Sequence, residues 1–470
     1  MKKTKIVATI GPVSDSKESL GELIKNGVNV CRINFSHGTH ESNGKVFEIA
    51  KGLRKDLKRP IGILADLQGP RIRVGNEEAF TIEKGETIFI SDKKTTEEKE
   101  LIIDSPGLVK ELKEGDRILV EDGVKSLKVT EKVSADLVKA EVLEGGEIKP
   151  RKGVNVPDTQ VGFGAVTEKD EKDLEFAVKN DANFVALSFV SNAKEIKDTR
   201  ERMKKILGRD DNLPQIVSKI ERKDAIDNLD EIIQASDVIM VARGDLGIEL
   251  EESKVVLYQK QIIEKCLQRA KPVIVATQMM DSMIDNPIPT RAEVSDVSNA
   301  VIDHTDAVML SGETAGGKYP AKTVEMMNKI IIDTEESPFD DIDVCNLKKD
   351  LMTDYISIIN GACSLARNSN AKAIILFTES GYTARMMSNH RLDKLLIIVT
   401  NNPQTYNQLS IVWGARAYLI GKESDRQEFA DGILEKCKSE GKLDQGDKII
   451  IVKGRAKKGA LPTIGMTEIE

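Results

Sequence analysis

The feature that most constrains the fold is an alternation of short apolar runs with amphipathic stretches of helical periodicity. Eight runs rich in Val, Ile and Ala end in polar residues, and an amphipathic stretch follows most of them. Runs that are apolar along almost their whole length are typical of parallel strands covered by helices. Eight such repeats in succession predict a closed (β/α)8 barrel rather than an open sheet. The runs lie at 5–10, 29–35, 61–67, 184–190, 215–220, 237–243, 272–278 and 307–312, and the helical stretches at 16–26, 39–57, 168–180, 192–207, 222–235, 253–270, 290–304 and 320–336.

The barrel pattern is interrupted once, after the third run. Between residues 70 and 166, period-2 runs are separated by glycines and charge pairs without a long amphipathic stretch, which predicts an inserted all-β domain. Later strands predicted at 371–378, 394–400 and 447–453, alternating with helices, indicate a third domain with an open sheet. We therefore predict a (β/α)8 barrel (1–69 and 167–338), an inserted β-barrel lid domain (70–166) and a C-terminal α/β domain (339–470).

The composition excludes several classes of protein. Hydrophobic residues make up 40% of the 470 residues and charged residues 31%, a balance that favours packed domains over disorder. The formal net charge of −8 is small for this length and indicates no nucleic-acid partner. No apolar run exceeds five residues and the first residues lack a secretory apolar stretch, so we expect a cytoplasmic protein with no membrane partner. The five cysteines lie far apart without a CxxC pair, which argues against a zinc cluster or a disulfide framework.

Polar and charged residues lie at the ends of six of the eight apolar runs. In a (β/α)8 barrel the carboxyl ends of the strands meet at one mouth, so we expect these side chains to converge. Cations, carboxylates and hydroxyls at one mouth suit an anionic substrate and a divalent metal, with the inserted domain able to close over them and exclude water. The residues, in chain order, are Arg32, Asn34, Ser36, His37, Asp66, Lys219, Glu221, Arg243, Gly244, Asp245, Thr277, Gln278, Ser311, Glu313 and Thr314.

Lys219 and Glu221 are the sharpest pair among these residues. They are two residues apart on a strand, so their side chains point to the same face. Glu221 with Asp245 would leave several positions of an octahedral Mg²⁺ to water and substrate oxygens. Spacing alone leaves alternatives open, because Lys219 and Glu221 also fit a simple ion pair that closes the barrel. The stretch RGDLGIE equally fits a strand-to-helix turn, and Arg32 alone fits a structural salt bridge.

Eight longer motifs carry a resemblance to a known family. The motifs are KIVATIGP, CRINFSHG, DLQGPRIRVG, VSKIE, VARGDLGIE, VATQMMDSM, PTRAEVSDVSNAV and MLSGETAGGKYP. Together they resemble the pyruvate kinase family along the whole length of the chain. The resemblance implies a Mg²⁺-dependent phosphotransferase, with Mn²⁺ able to replace Mg²⁺, that moves the phosphoryl group of phosphoenolpyruvate to ADP. The products would be pyruvate and ATP, in the final step of glycolysis, and the enzyme would be a homotetramer.

The resemblance also implies roles for the residues at the barrel mouth. Lys219 would stabilise the transition state, as a fixed charge placed where the transferring group spreads its negative charge. The enolate left after transfer would be protonated through the family's proton relay, at the positions of Thr277 and Ser311. The other implied roles are binding of the phosphoryl group by Arg32 and Lys219, of the metal by Glu221 and Asp245, of the substrate carboxylate by Gly244, Asp245 and Thr277, and of the nucleotide by Asn34, His37, Arg73 and Lys169.

The stretch FTESGYTA at 377–384 resembles the loop on which family members bind a phosphorylated allosteric effector. Hydroxyls and backbone N–H groups at a strand-to-helix junction are suited to an anion. Tyr382 stands where some relatives carry Arg, so the identity of the effector stays open, and a simple helix cap is the alternative. The effector residues implied by the resemblance are Thr378, Ser380, Gly381 and Thr383.

A second departure concerns the K⁺ that many family members require. The family positions for this ion match Asn34, Ser36, Asp66 and the backbone of Leu67. Arg71 follows the pattern of members that work without K⁺, which generally carry Lys there. A fixed guanidinium supplies the positive charge that K⁺ would bring and raises the electrostatic cost of a second cation. We expect substantial activity without K⁺, the alternative being that Arg71 simply faces solvent.

Two other functions stand as alternatives. A (β/α)8 aldolase or lyase acting on pyruvate-type substrates would also bind Mg²⁺ on Glu and Asp, but it has no need of Arg73, Lys169 or a hinged lid. A catalytically silent metabolite sensor would keep only the C-terminal effector site. The intact Lys219, Glu221 and Asp245 argue against a silent sensor, as does Thr277.

Overall fold

Eight parallel strands close into a barrel, which confirms the (β/α)8 prediction. The structure is a computed structural model that describes residues 2–95, 97, 99–159, 164–340, 347, 351–421, 426–453 and 461–469. The strands pair in chain order around the barrel, and the last strand pairs with the first. Across the inserted segment, the third strand pairs with the fourth, and Ala65 lies opposite Val185. Numbered along the whole chain, the barrel strands are β1 (Lys5–Thr9), β2 (Val30–Asn34), β3 (Gly62–Asp66), β12 (Phe184–Leu187), β13 (Gln215–Ile220), β14 (Val238–Ala242), β15 (Val273–Ala276) and β16 (Ala307–Leu310).

Helices cover the outside of the barrel, and several begin at side-chain caps. The Thr290 hydroxyl accepts from the backbone N–H of Glu293, whose carboxylate accepts in turn from the backbone N–H of Thr290. The helix predicted at 222–235 is two helices, because the first one ends at Asn228. Short helices follow β14 and β16 directly, where the sequence predicted none. The helices are α1 (Lys17–Asn26), α2 (His40–Leu57), α4 (Glu168–Lys179), α5 (Ala193–Leu207), α6 (Lys223–Asp227), α7 (Leu229–Ala235), α8 (Arg243–Glu249), α9 (Val255–Gln268), α10 (Arg291–Ile302), α11 (Gly312–Ala315) and α12 (Pro320–Glu335).

The inserted segment is built mainly of strands, as its period-2 pattern predicted. Its elements are β4 (Phe80–Ile82), β5 (Thr87–Ser91), β6 (Glu100–Ile102), α3 (Leu108–Glu111), β7 (Arg117–Val120), β8 (Lys125–Lys132), β9 (Leu137–Glu144), β10 (Gly146–Ile148) and β11 (Val154–Asn155). Buried residues, among them Val129 and Val142, alternate with exposed ones along β8 and β9 and form a separate apolar core. The described residues form a six-stranded sheet, in the order β11-β7-β8-β9-β5-β6, and a two-stranded sheet of β4 and β10. The stretch 73–74 pairs with Gly153, beside β11, and with Ile103, beside β6, so it joins the two edges of the larger sheet. The β-barrel form of this domain stays a prediction.

The C-terminal segment forms an open five-stranded sheet flanked by helices. Its elements are α13 (Asp354–Asn368), β17 (Ala373–Phe377), α14 (Tyr382–Ser388), β18 (Leu395–Thr400), α15 (Pro403–Gln408), β19 (Ala415–Leu419), α16 (Arg426–Ser439), β20 (Lys448–Lys453) and β21 (Thr463–Glu468). The strand order is β19-β18-β17-β20-β21, and β21 is antiparallel to β20. The sequence predicted the three central strands but neither edge strand, because β19 and β21 are partly exposed and lack a continuous apolar run.

The inserted and C-terminal segments pack against opposite ends of the barrel. At the carboxyl ends of the strands, the side-chain amide of Asn155 donates to the carboxylate of Glu249 at 3.2 Å. At the amino ends, the guanidinium of Arg391 lies 3.1 Å from the carboxylate of Asp306. The mouth of the barrel therefore lies on the side of the inserted segment. The domain boundaries given above stay a prediction, and no helix of the described chain is both long and apolar enough to cross a bilayer.

Candidate active site

Four charged side chains at the barrel mouth form one connected network. Arg32 Nε lies 2.6 Å from Asp66 Oδ2, at the paired ends of β2 and β3. Lys219 Nζ lies 3.6 Å from the other oxygen of Asp66 and 2.8 Å from Glu221 Oε1. Both carboxylates are almost completely buried, and the two cations are about nine-tenths buried. Two positive charges thus face two negative ones, the condition under which ionised groups are tolerated away from water.

The network keeps Asp66 and Lys219 in their ionised forms. Burial alone would raise the pKa of Asp66, but the charges of Lys219 and Arg32 outweigh burial and hold that pKa below its ordinary value. Burial alone would lower the pKa of Lys219, but the carboxylates of Asp66 and Glu221 outweigh it and raise that pKa above its ordinary value. Lys219 therefore carries a full positive charge at neutral pH, in a fixed position at the mouth.

Glu221 is held differently from Asp66 and is suited to a metal ion. Burial raises the pKa of Glu221 to about 7, against the charge of Lys219 and with a further contribution from the charge of Asp245. Its Oε2 accepts from the backbone N–H of Phe189 at 2.7 Å, whereas its buried Oε1 has an ion pair with Lys219 but no hydrogen bond within the described chain. A carboxylate oxygen in this situation is a ready ligand for a divalent cation, whose charge would reverse the rise in pKa.

The donor set at the mouth fits Mg²⁺ rather than a metal held by protein alone. Asp245 lies on the first turn of α8 and is half-buried. Within the described residues there is no group of three or more His, Cys, Asp or Glu side chains placed to hold a metal. Glu221 and Asp245 would therefore supply two carboxylates and leave the other positions open. Mg²⁺ usually keeps several waters and substrate oxygens in this way.

The first turn of α8 and the loop after β15 bring Gly244 and Thr277 together. The backbone N–H of Gly244 donates to Thr277 Oγ1 at 2.9 Å, and that hydroxyl donates to the carbonyl of Ala276 at 2.7 Å. Thr277 and Gln278 both have left-handed backbones, with φ of 63° and 54°. Such a conformation costs a non-glycine residue about 1–3 kcal/mol, and strain of this kind is found where a site requires a particular geometry.

The residues predicted to bind the nucleotide fall in two places at the rim of the mouth. Lys169 Nζ, on α4, donates to the carbonyl of Phe35 and to Asp173 Oδ2, both at 2.6 Å, and so lies beside the loop that carries Asn34 and His37. Arg73 lies at the edge of the inserted segment. It lines a cavity of about 140 Å³, together with the side chains Arg71, Phe189, Arg222, Asp245 and Glu249. Residues of the inserted segment and of the barrel mouth both line this cavity.

Comparisons with known proteins show the family to which the chain belongs. The family model described as the pyruvate kinase barrel domain matches residues 1–324, and the one described as the pyruvate kinase alpha/beta domain matches residues 357–464. The chain belongs to the pyruvate kinase family. The function and the class of enzyme predicted from the sequence are thereby confirmed, and members of this family generally use Mg²⁺ and K⁺.

Individual relatives show how far the similarity extends. A pyruvate kinase of Staphylococcus epidermidis is 39% identical over 461 residues, which cover 97% of this chain and 78% of that protein. A pyruvate kinase of Geobacillus stearothermophilus is 40% identical over 460 residues, which cover 96% of this chain and 78% of that protein. A crystal structure of a pyruvate kinase from Cryptosporidium parvum superposes with a TM-score of 0.93 at 34% identity, covering 100% of this chain and 96% of that one.

The residues that the resemblance predicts to match the K⁺ site of pyruvate kinases lie at the ends of β2 and β3. Asn34 Oδ1 accepts from the backbone N–H of Ser36 at 3.0 Å, and the carbonyl of Leu67 accepts from Ser188 Oγ at 2.9 Å. Asp66, the remaining position, is shared between two cationic side chains, as described above. Arg71 is exposed at the edge of the inserted segment, so its guanidinium is accessible to solvent as well as to the cleft.

Ser311 lies in the loop after β16 and is half-buried. Its backbone N–H donates to Glu313 Oε2 at 2.6 Å, while Glu313 Oε1 accepts from the backbone N–H of Met280 at 3.2 Å. The buried Glu313 carboxylate therefore ties the loop after β16 to the loop after β15. This contact places the Ser311 and Thr277 hydroxyls on neighbouring loops at the mouth.

The loop that resembles the effector site of pyruvate kinases lies far from the mouth, after β17. The backbone N–H of Gly381 donates to Thr378 Oγ1 at 3.1 Å, and the buried Thr383 hydroxyl shares a hydrogen bond with the Tyr355 hydroxyl. Ser380 is exposed. The loop lines a cavity of about 1050 Å³ between the C-terminal segment and the amino-end side of the barrel, to which Thr378, Ser380, Thr383, Arg385, Arg200 and Lys204 contribute.

Sequence reasoning missed two polar residues at the mouth and underrated a third. Ser188 Oγ accepts from Lys219 Nζ at 2.9 Å, and Thr9 Oγ1 accepts from Arg32 Nη1 at 2.7 Å. The fourth apolar run, 184–190, contains Ser188 in its interior, but β12 ends at Leu187 and Ser188 lies just beyond the strand, at the mouth. Arg243 was recognised only as a strand-end residue, although its guanidinium makes several contacts beneath the mouth.

Proposed function

We propose that this chain transfers the phosphoryl group of phosphoenolpyruvate to ADP with Arg32, Lys219, Glu221 and Asp245 at the centre of the reaction. The observation that carries this proposal is the buried network in which Lys219 is held between two carboxylates and a hydroxyl at the barrel mouth. A charge fixed before the reaction stabilises developing negative charge without reorganisation, which is the main catalytic effect in phosphoryl transfer.

Arg32 and Lys219 are the groups proposed to bind the phosphoryl group. Arg32 is oriented by Asp66 on one side and by Thr9 on the other, so its planar guanidinium enters the site in one orientation. Lys219 donates to Ser188, which in turn donates to the carbonyl of Leu67. Both cations are thus positioned by the protein and require little rearrangement when an anion binds.

Glu221 and Asp245 are the proposed ligands of Mg²⁺. When bound, this ion supplies positive charge to the oxygens of the substrate and of the transferring group. Mn²⁺ prefers the same kind of oxygen ligands and is expected to replace it. Support comes from the buried Glu221 carboxylate, whose pKa is raised by burial and also by the charge of Asp245. A cation between these two carboxylates would offset both effects.

Gly244, Asp245 and Thr277 are proposed to bind the carboxylate of the substrate. The Gly244 N–H already donates to Thr277 Oγ1, so substrate binding would exchange or share this hydrogen bond rather than meet a free donor. The Thr277 hydroxyl would then donate to the substrate instead of to the Ala276 carbonyl. Thr277 and Ser311 are proposed to pass a proton, through water, to the enolate that phosphoryl transfer leaves.

Asn34, His37, Arg73 and Lys169 are proposed to bind ADP. Arg73 and Lys169 lie near the two connections of the inserted segment, and Asn34 and His37 follow β2. We propose that the inserted segment closes over the mouth to exclude water. The proposal includes the domain boundaries given above, a cytoplasmic location, a homotetramer and a phosphorylated effector at Thr378, Ser380, Gly381 and Thr383. The size of the cavity beside that loop supports the effector part of the proposal.

A coupled assay tests the proposed reaction. ATP formation is measured with phosphoenolpyruvate, ADP and increasing Mg²⁺, and a parallel reaction omits ADP. We expect ATP and pyruvate in equal amounts and no product without Mg²⁺ or without ADP. Release of pyruvate without ADP, or cleavage of a larger pyruvate-type substrate, would instead support a lyase or aldolase.

A further inference from the structure

Arg243 is a buried guanidinium beneath the mouth that the mechanism above does not use. It begins α8, and 8% of the residue is exposed. Its Nε and Nη2 donate to the carbonyl of Thr277 at 3.2 and 2.6 Å, Nε also donates to Ala276 at 3.3 Å, and Nη2 also donates to Gln278 at 3.2 Å. One side chain thus binds three successive carbonyls of the loop after β15.

The guanidinium is itself held in place by the surrounding helices. Its Nη1 lies 2.7 Å from Asp296 Oδ1 on α10 and donates to Gln259 Oε1 on α9 at 3.4 Å. Its Nη2 also approaches Met279 Sδ at 2.8 Å. The contacts of Nη1 with Asp296 and Gln259 fix one side of the guanidinium, so Nε and Nη2 point towards the loop.

The carbonyls bound by Arg243 belong to the residues with unusual backbone conformation. Thr277 and Gln278 are consecutive non-glycine residues in the left-handed region, which a β-branched residue such as Thr rarely adopts. Hydrogen bonds to their carbonyls fix the peptide planes in this conformation. The Thr277 hydroxyl then meets the Gly244 N–H, one residue after Arg243 itself. Arg243 therefore links the start of α8 to the loop after β15, and these two segments carry the proposed carboxylate site.

We propose that Arg243 is a positioning residue for substrate binding, acting through Thr277 and Gly244 on the carboxylate of phosphoenolpyruvate. The inference rests on the proposed roles of those two residues. Arg243 does not touch the reacting atoms, and its effect is to hold a donor and a hydroxyl in one geometry before the substrate arrives. A displacement of about 1 Å in such groups costs on the order of 100-fold in rate.

Arg243→Lys is the principal test, because Lys keeps the charge and the ion pair with Asp296 but cannot donate to three carbonyls at once. Thermal unfolding reports the folded fraction, and isothermal titration with phosphoenolpyruvate, in Mg²⁺ and without ADP, reports substrate affinity. We expect the Kd and KM for phosphoenolpyruvate to rise by roughly 10- to 100-fold. The KM for ADP, whose proposed ligands lie on other loops, should stay within about twofold.

Arg391→Lys is the matched control, since Arg391 is a buried guanidinium bound to a carboxylate and a carbonyl at the opposite end of the barrel. It should leave both KM values unchanged even if it lowers the melting temperature. If Arg243→Lys loses kcat only in proportion to its folded fraction, with the phosphoenolpyruvate Kd unchanged, the residue is merely structural and the proposal is overturned.

Two further variants keep the test decisive. If Arg243→Lys does not fold, Asp296→Asn, which weakens the support of the guanidinium from a partly exposed position, must raise the phosphoenolpyruvate Kd. An unchanged Kd in that variant overturns the proposal.

Thr277→Val, measured in parallel, separates the proposed carboxylate site from the proposed positioning role of Arg243. If it leaves the Kd unchanged, the carboxylate site is wrong and the role of Arg243 with it; if only Thr277→Val weakens binding, the role of Arg243 alone is wrong.

Discussion

At the scale of single residues, the mouth of the barrel is a balance of buried charges. Arg32 and Lys219 are almost enclosed, and each has a buried carboxylate within ion-pair distance, Asp66 for Arg32 and both Asp66 and Glu221 for Lys219. Removing one partner of such a network leaves an uncompensated buried charge, which costs about 3–5 kcal/mol. The arrangement therefore constrains substitution at these positions for reasons of folding as well as of catalysis.

Arg71 carries a prediction about the monovalent cation. We expect substantial activity without K⁺, because a guanidinium near the site supplies positive charge and disfavours a second cation. Its exposure in the structure allows solvent to weaken that effect. The measurement is kcat in a buffer of bulky organic cations, with and without KCl at matched ionic strength, for the wild type and for Arg71→Glu.

The wild-type rate should change by less than about twofold, and Arg71→Glu should become dependent on K⁺. Arg117→Glu, which reverses a partly exposed arginine elsewhere in the inserted segment, controls for the overall change in charge. A tenfold or larger rise of the wild-type rate on adding K⁺ would show that Arg71 does not replace the ion.

How much of the site the sequence predicts depends on where each strand ends. Lys219 and Glu221 could be placed on one face of their strand because side chains two residues apart point the same way. In the structure, Lys219 Nζ lies 2.8 Å from Glu221 Oε1. Ser188 and Thr9 were missed because a run of apolar residues does not mark its own last residue. The contacts of Arg243 could not be predicted, because they depend on the left-handed backbone of a loop distant in sequence.

At the scale of elements, the hinge of the inserted segment depends on one helix cap. Thr167 Oγ1 accepts from the backbone N–H of Asp170 and donates to its carboxylate, and the same carboxylate accepts from the backbone N–H of Gly69 at 3.2 Å. The fully buried Asp170 thus joins the two connections between the barrel and the inserted segment. The start of α4 and the position of Lys169 both depend on this cap.

Thr167→Ala is expected to fray the first turn of α4, since loss of a Thr cap costs about 1 kcal/mol. Hydrogen exchange of residues 168–171 should become roughly five times faster, which is the equivalent change in the opening equilibrium. Thr167→Ser keeps the hydroxyl and should exchange like the wild type. Equal exchange in the Ala and Ser variants would show that the hydroxyl does not cap this helix.

At the scale of the whole molecule, the barrel separates two sites. The charged network lies at the carboxyl ends of the strands, and the cavity of about 1050 Å³ beside the loop after β17 lies towards the amino ends. A ligand in that cavity would contact both the barrel and the C-terminal segment, so it can bias their arrangement without touching the reacting groups. The strands of the barrel and the three central strands of the C-terminal sheet were predictable from apolar runs. The edge strands of the C-terminal sheet, β19 and β21, were not.

Replacing Thr378 and Ser380 together with Ala should abolish activation by any phosphorylated effector and leave the maximal rate nearly unchanged. Thr378 shapes the loop by accepting from the Gly381 N–H, and the exposed Ser380 offers a hydroxyl to the ligand. The measurement is the initial rate across a panel of sugar phosphates and nucleoside monophosphates. Ser369→Ala, at the exposed end of α13, is the control. A double variant that responds to the wild-type effector at the same concentration would place the site elsewhere.

The central claim is that Lys219 acts as a fixed positive charge on the transferring phosphoryl group. Lys219→Met keeps the methylene stem and removes the charge. We expect the variant to fold and to bind phosphoenolpyruvate, with a lower free energy of unfolding because Asp66 and Glu221 lose a partner. Its kcat should fall by roughly 10²–10³-fold, the cost of losing one preorganised charge in a water-poor site. Lys5→Met removes another buried lysine, at the opposite end of the barrel, and should keep its kcat within about twofold.

The decisive measurement is therefore kcat of Lys219→Met beside Lys5→Met, at saturating phosphoenolpyruvate, ADP and Mg²⁺, with titration confirming that both variants bind phosphoenolpyruvate. A loss confined to Lys219→Met is the predicted result. A Lys219→Met enzyme that retains more than about a third of the wild-type kcat would contradict the role assigned to this residue.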